Sequence, residues 1–225
     1  MRYKGIFIDA DDTLFDFQAG EREAVGRVLE HLGIVDPGAA AAYQVINAGL
    51  WLDLEKGLTT QAQLKIRRFE LLMTRYGVSG NPTEAAEYYV EALSEQSMLL
   101  PGALEAVQEV AGRLPVSVVT NGISAVQRGR MSRSPLRFLI KDFVISEEIG
   151  IAKPDPRVLE IALGNLGLGR EDALMAGDGV ADMRCAKNAA VDGCWLNMGG
   201  KKLPEDLSPR YEIDHISLLP AIALG

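Results

Sequence analysis

Short, almost uninterrupted apolar stretches recur along the chain and predict the strands of a buried sheet. They occupy residues 3–8, 116–119, 143–145, 173–176 and 194–196. Strands that are apolar on both faces are typical of a parallel sheet that is covered by helices on each side. Helical patterning fills the later intervals, as at residues 156–167 and 180–190. This alternation predicts repeated strand–helix–strand units and an α/β fold.

The interval between the first and second strands breaks this rhythm. More than a hundred residues separate these strands, whereas a crossover helix needs about a dozen. The segment has almost no strand signal and several helix signals. Thr60 and Gln63 have the spacing of a capping box, and Asn81 precedes Pro82 as an N-cap residue does. We therefore expect a helical insertion.

Charge and composition narrow the classes of function. The chain has 31 Asp and Glu against 23 Lys and Arg, a formal net charge of -8. Duplex nucleic acid and anionic membranes are therefore disfavoured as main partners. No apolar stretch reaches the roughly 18 residues of a membrane span, and the first one ends at Asp9, too early for a signal peptide. We expect a cytoplasmic protein.

The cysteine and histidine residues predict no metal or redox centre. Cys185 and Cys194 are nine positions apart and fit no CxxC pattern, so we interpret both as reduced, buried structural thiols. His31 and His215 are far apart in sequence and lack the spacing of a zinc site. We interpret both as surface or helix-end residues.

The first strand ends in a cluster of acids, Asp9, Asp11 and Asp12. Asp9 and Asp11 point to the same side if strand geometry continues, and the carboxyl end of a parallel strand opens on the crevice where α/β proteins bind ligands. Neighbouring carboxylates repel one another unless a cation binds or a pKa rises. Mg2+ prefers oxygen ligands, so a magnesium site is expected, with a solvated acidic turn as the alternative.

Polar residues also follow the second and third strands. Thr120, Asn121 and Gly122 offer a hydroxyl, an amide and an unhindered backbone N–H, a combination that suits phosphate oxygens. Taken alone they are an ordinary Asn-Gly turn. Lys153 follows the third strand, and its ammonium could offset both the acids and a substrate dianion, although a lone lysine is usually a surface residue.

The fourth strand ends in a second acidic pair. Asp178 and Asp182 share a face if this segment is helical, whereas in isolation they would be an N-cap acid and a solvated acid. Four strand ends thus carry acids, phosphate-binding groups, a lysine and acids again. Their order indicates one functional site rather than four unrelated turns.

In this order the four segments resemble the motifs of the haloacid dehalogenase-like hydrolases, and with the insertion the resemblance covers nearly the whole chain. It implies that Asp9 is a nucleophile that forms an aspartyl-phosphate and that Asp11 is the general acid and base. Thr120 and Lys153 would hold the phosphoryl group and balance charge. An alkoxide leaving group needs a proton, which Asp11 can supply.

The resemblance also implies a metal site. Mg2+ would be bound by Asp9, by the backbone carbonyl of Asp11 and by Asp178. Asp182 would support the metal shell or Lys153.

The fold that this resemblance implies has two parts. A Rossmann-like parallel sheet would form a catalytic core from residues 1–16 and 97–225. An all-helical cap domain would be inserted at residues 17–96.

A narrower resemblance concerns the substrate. Four strings are similar to those of bacterial pyrimidine 5'-nucleotidases that remove noncanonical nucleotides. They lie at residues 9–15, 50–53, 146–150 and 194–197. Asp12 agrees with this branch, since most of the superfamily has a small residue there. Pro135 departs from the pattern, where a glycine is expected, but at a core surface rather than at the site.

The expected substrate is therefore a nucleoside monophosphate such as dUMP, UMP or dTMP. Trp51 is a candidate wall of the base pocket, and Tyr88 and Tyr89 could also contact a base, although packing inside the cap is the alternative for all three. A cap that closes over Asp9 favours a compact ester over a polymer. Small sugar phosphates and phosphoglycolate are alternative substrates, and a monomer and a homodimer both remain open.

Other reactions and classes are less consistent with the sequence. Halide departure needs no acid, so the presence of Asp11 argues against dehalogenation. Phosphonate cleavage would need a cap lysine, and Lys56 and Lys65 fit solvated surface positions better. A catalytically silent binding protein should have lost Asp9, Asp11 or Lys153, and all three are present.

Overall fold

The computed structural model describes residues 1–225, apart from the side chain of Glu55. Its core is a six-stranded parallel sheet with the strand order β3-β2-β1-β4-β5-β6. The strands are β1 (Gly5–Ile8), β2 (Val116–Thr120), β3 (Asp142–Ile145), β4 (Ala173–Gly177), β5 (Asp192–Leu196) and β6 (Tyr211–Ile213). This confirms the predicted α/β fold, and it adds β6 at the edge of the sheet.

The insertion between β1 and β2 is built from helices. It contains α1 (Phe17–His31), α2 (Ala39–Glu55), α3 (Gln61–Tyr76) and α4 (Pro82–Ser94). Thr60 and Gln63 form the predicted capping box of α3, and the Asn81 side chain caps α4. The sequence analysis missed α2, which begins after Gly38 with no side-chain cap.

Six further helices belong to the rest of the chain. They are α5 (Ala103–Ala111), α6 (Ser124–Arg133), α7 (Ser146–Ile149), α8 (Arg157–Leu166), α9 (Val180–Ala189) and α10 (Leu219–Leu224). Short 3-10 turns lie at Pro135–Phe138, Arg170–Asp172 and Ile216–Leu218. The chain forms two compact units, one of Met1–Phe17 with Ser97–Gly225 and one of Gln18–Gln96.

Strand β1 lies at the centre of the sheet and is buried on both faces. Ile6 and Ile8 belong to one apolar cluster, with Val107 of α5, whereas Phe7 belongs to a second cluster, with Leu159 of α8. Successive side chains of a strand point to opposite faces, so helices on both sides of the sheet bury β1. This burial explains the uninterrupted apolar stretch in the sequence.

The helical unit has an aromatic core of its own. The rings of Tyr43, Phe69 and Tyr89 lie 5.4 to 5.7 Å apart, and the buried Arg68 guanidinium lies 4.2 Å from the Tyr89 ring centre. Tyr89 therefore packs inside this unit. Tyr88 is half-buried instead and stacks on a histidine at the end of α1, with the ring centres 4.6 Å apart.

The expectations about the cysteine and histidine residues are confirmed. Cys185 and Cys194 are free and buried, and burial raises the pKa of both thiols to about 12. His31 and His215 are exposed. None of the described helices is long and apolar enough to cross a membrane.

Candidate active site

The topology brings the ends of the middle strands together. Strands β2, β1 and β4 are neighbours in the sheet and parallel, so their carboxyl ends open at the same edge. Thr120 ends β2, Asp9 follows β1, and Asp178 follows β4. This edge is where parallel α/β sheets bind ligands.

A buried lysine joins two carboxylates at this edge. Lys153 Nζ donates to Asp9 Oδ1 and to Asp182 Oδ1, each at 2.6 Å, and to the carbonyl oxygen of Val119 at 2.9 Å. Lys153, Asp9 and Asp182 are 4%, 7% and 3% exposed. Because all three donor positions of the ammonium are occupied, its place in the site is fully determined.

The electrostatics of this group leave an excess of negative charge. Burial raises the pKa of Asp9 well above its usual value; Lys153 opposes that shift, and Asp182 and Asp11 add to it. Burial alone would lower the pKa of Lys153, but Asp182 and Asp9 raise it above its ordinary value. The lysine therefore stays charged, and its ammonium contacts two carboxylates.

Asp178 completes a set of carboxylates that could hold a metal ion. Ligand oxygens of Asp9, Asp178 and Asp182 all lie within 4.8 Å of one another. Burial and then Asp182 raise the pKa of Asp178 to about 6. A donor set made only of oxygens suits a hard cation such as Mg2+, and a cation would relieve the repulsion between these acids.

Gly177 and Gly179 leave space for the Asp182 carboxylate. A Cβ at Gly177 would overlap the Asp182 carboxylate, and one at Gly179 would lie 3.0 Å from Asp182 Oδ2. The Gly179 N–H donates to the same oxygen at 2.9 Å. The small residues around Asp178 therefore allow Asp182 to approach from the first turn of α9.

The segment after β2 is held by hydrogen bonds of its own. The Thr120 hydroxyl accepts from the Gly122 N–H at 3.0 Å. The Asn121 side chain donates to the carbonyl oxygen of Lys153 and accepts from the Lys153 N–H, both at 2.8 Å. The amide that the sequence offered for phosphate thus binds the main chain of Lys153.

The Asp11 carboxylate is held by two donors from α6. Its Oδ1 accepts from Arg130 Nη1, and its Oδ2 accepts from Gln127 Nε2 at 2.8 Å. Sequence analysis missed both donors. Their spacing of three positions on α6, which begins just after the Thr120–Gly122 segment, is the signal that could have found them.

Four further residues that the sequence analysis singled out are Asp12, Trp51, Lys56 and Lys65. Asp12 adopts a positive φ of 55°, and its Oδ1 accepts from the Phe17 N–H at the start of α1. Trp51 lies half-buried on α2. Lys56 is exposed and Lys65 half-buried, so Lys56 fits the predicted surface position.

Comparisons with known proteins identify the family of the chain. The family model of the haloacid dehalogenase-like hydrolases matches residues 3–190. The chain is 33% identical over 219 residues to pyrimidine 5'-nucleotidase YjjG of Escherichia coli, covering 96% of each chain. It is also 33% identical to pyrimidine 5'-nucleotidase PynA of Streptococcus pneumoniae, covering 95% of this chain and 92% of PynA.

Solved structures share the fold. HAD-hydrolase YfnB of Bacillus subtilis, bound to magnesium, superposes with a TM-score of 0.92 at 30% identity and 99% coverage of both chains. The L-2-haloacid dehalogenase of Xanthobacter autotrophicus shares the fold alone, with a TM-score of 0.79 at 16% identity and 99% coverage of both. On the family match and these identities, the chain belongs to the haloacid dehalogenase-like hydrolases.

Proposed function

We propose that this enzyme is a Mg2+-dependent phosphomonoesterase that acts through an aspartyl-phosphate on Asp9. The observation that carries the proposal is the buried set of Asp9, Asp182 and Lys153, with Asp178 beside it. One carboxylate oxygen of Asp9 is tied to Lys153, so the other one is the nucleophilic oxygen.

In the first step, the Asp9 carboxylate attacks phosphorus and the ester P–O bond breaks. Asp11 gives its proton to the departing oxygen, which leaves as an alcohol. The ammonium of Lys153 orients Asp9 and offsets charge on the transferring phosphoryl group. The Thr120 hydroxyl contributes a donor for the phosphoryl oxygens. The Gly122 N–H donates to that hydroxyl, and the Asn121 side chain holds the main chain of Lys153.

In the second step, water attacks the phosphorus of the aspartyl-phosphate. Asp11 now takes the proton of that water as a general base, and the bond between phosphorus and the Asp9 oxygen breaks. Inorganic phosphate and the free carboxylate result. The two steps therefore return both acids to their starting states.

Asp9, Asp178 and the backbone carbonyl of Asp11 would hold Mg2+, with Asp182 supporting that shell through Lys153. A bound Mg2+ supplies positive charge that stabilises the phosphoryl oxygens as the reaction proceeds. All of these ligands offer oxygen atoms, which is the donor chemistry that this ion prefers. The similar YfnB structure is bound to magnesium, which supports magnesium as the ion.

The substrate class that we propose is the pyrimidine nucleoside 5'-monophosphates. Both YjjG and PynA are pyrimidine 5'-nucleotidases. Trp51 stays our candidate for contact with the base. Phosphoglycolate is the second candidate, because a phosphoglycolate phosphatase of Yersinia pestis is 25% identical over 98% of this chain.

A phosphate-release screen with and without Mg2+ tests the proposal. We expect dUMP, UMP and dTMP to give higher kcat/KM than phosphoglycolate or hexose phosphates. Asp9→Asn should abolish turnover, since the amide is a poor nucleophile, and Trp51→Ala should raise KM for nucleotides more than for p-nitrophenyl phosphate. Near-normal activity of pure Asp9→Asn would refute the covalent route, and a tenfold preference for phosphoglycolate would refute the substrate class.

A further inference from the structure

We propose that Arg130 and Gln127 are positioning residues, which hold the Asp11 carboxylate for proton transfer with the substrate. This inference rests on the proposed function. Arg130 Nη1 donates to one oxygen of Asp11, and Gln127 Nε2 donates to the other at 2.8 Å. Both donors lie on one face of α6, three positions apart.

Arg130 is buried beside two aromatic rings, and Asp11 is the acid that it contacts. Arg130 is fully buried, and its guanidinium lies 4.4 Å from the Phe15 ring centre and 5.9 Å from that of Phe17. Burying an arginine away from water is costly unless its charge is compensated. Asp11 compensates it, whereas Arg133 on the same helix is exposed.

Gln127 links Asp11 to the segment proposed to bind the phosphoryl group. It is 1% exposed, and a Cβ at Gly122 would overlap its amide. Only a glycine leaves room for Gln127 beneath this segment while its Nε2 reaches Asp11. The position of Asp11 is therefore tied to that of the residues after β2.

This arrangement orients the carboxylate and leaves acceptor positions on both of its oxygens. Each carboxylate oxygen has two acceptor positions, and the structure shows one donor on each from α6. The Asp11 side chain is 27% exposed, whereas Arg130 is 0% exposed. The donors thus approach from the protein interior, and the exposed part of the carboxylate remains available to the substrate.

Leaving-group dependence separates positioning of Asp11 from a merely structural role. Phenyl phosphate and p-nitrophenyl phosphate are similar in size. Phenolate is a poorer leaving group than p-nitrophenolate, so hydrolysis of phenyl phosphate depends more strongly on a general acid. We expect Arg130→Met to lower kcat/KM for phenyl phosphate by about 10²-fold, as loss of general acid catalysis does, and for p-nitrophenyl phosphate much less. Arg130→Lys should recover part of the loss, and Arg133→Met, the matched control, should behave like the wild type.

A double-mutant cycle tests whether the effect passes through Asp11. In the Asp11→Asn background, Arg130→Met should add no further loss, because coupled residues are not additive. Equal losses for both phenyl esters, or a full additional loss in that background, would overturn the inference. If circular dichroism shows that Arg130→Met does not fold, the test uses Gln127→Met instead. We expect this variant to show the same selective loss for phenyl phosphate, with a smaller fold-change.

The same experiment distinguishes failure of the inference from failure of the proposed function. If Asp11→Asn itself shows no selective loss for phenyl phosphate, Asp11 is not the general acid and the proposed mechanism fails. If Asp11→Asn shows this loss and Arg130→Met and Gln127→Met do not, only the positioning role is refuted.

Discussion

Asn121 and Lys153 are joined by two hydrogen bonds of 2.8 Å, one from the Asn121 side-chain amide to the Lys153 carbonyl and one from the Lys153 N–H to the Asn121 carbonyl oxygen. The pair connects the end of β2 to the segment before α8. Lys153 is thereby fixed at its backbone by Asn121 and at its ammonium by Asp9 and Asp182. Its orientation is determined from both ends.

Removing this side chain should release the lysine. Asn121→Ala breaks two hydrogen bonds, each worth about 1 kcal/mol, so we expect the free energy of unfolding in urea to fall by about 1–3 kcal/mol. We also expect kcat to fall by at least tenfold, because Lys153 would no longer be held against Asp9. A variant with wild-type stability and kcat would contradict this role.

A methyl group at Gly177 should displace Asp182. The added Cβ would overlap the Asp182 carboxylate, so we expect Gly177→Ala to weaken both Mg2+ binding and turnover by more than tenfold. Gly164→Ala is the matched control, since Gly164 lies in α8 with nothing within 4 Å of its added Cβ. That change should stabilise the helix by about 0.5–1 kcal/mol and leave kcat unchanged.

Magnesium binding should weaken in acid. The pKa of Asp178 in the metal-free protein is raised to about 6, and a metal ligand must be deprotonated. Below that pH, Mg2+ must displace a proton from Asp178, so its apparent Kd should rise as the pH falls from 7.5 to 5. Isothermal titration calorimetry measures this, and a Kd that is constant over the range would exclude Asp178 as a ligand.

The hydroxyl of Tyr89 should stabilise the helical unit. It donates to Glu21 Oε1 at 3.1 Å inside the aromatic core. We expect Tyr89→Phe to lower the free energy of unfolding by about 1 kcal/mol without changing kcat. Tyr88→Phe, at a half-buried position, is the control and should stay within about 0.5 kcal/mol of the wild type; equal effects of the two changes would argue against the buried hydrogen bond.

The two thiols should be inert in the folded protein. Burial raises the pKa of Cys185 and Cys194 to about 12, so the reactive thiolate is scarce at pH 8. Mass spectrometry after iodoacetamide treatment should show no alkylation in native buffer and two alkylated cysteines in urea. Rapid alkylation of the native chain would show that at least one thiol is accessible.

The sequence was sufficient for the fold class and for the residues that meet at the sheet edge. Strands that are buried on both faces are apolar throughout, so β1 and β4 could be recognised in the sequence as uninterrupted apolar stretches. The carboxyl ends of neighbouring parallel strands lie at the same edge of a sheet, so Asp9, Thr120 and Asp178 were expected at one edge. Strand β6 was missed because it has only three residues at the edge of the sheet. Helix α2 was missed because it has no side-chain cap and its apolar residues do not follow a clear helical period.

Tertiary structure alone decided which partner each polar side chain has. Asp11 lies 119 positions from Arg130 and 116 from Gln127, and Asn121 lies 32 positions from Lys153. The spacing of residues along the sequence predicts which of them share a face of one helix or strand. It does not predict contacts between different elements. Such hydrogen bonds depend on the approach of side chains to within about 3 Å, and that approach exists only once the sheet and its helices have packed.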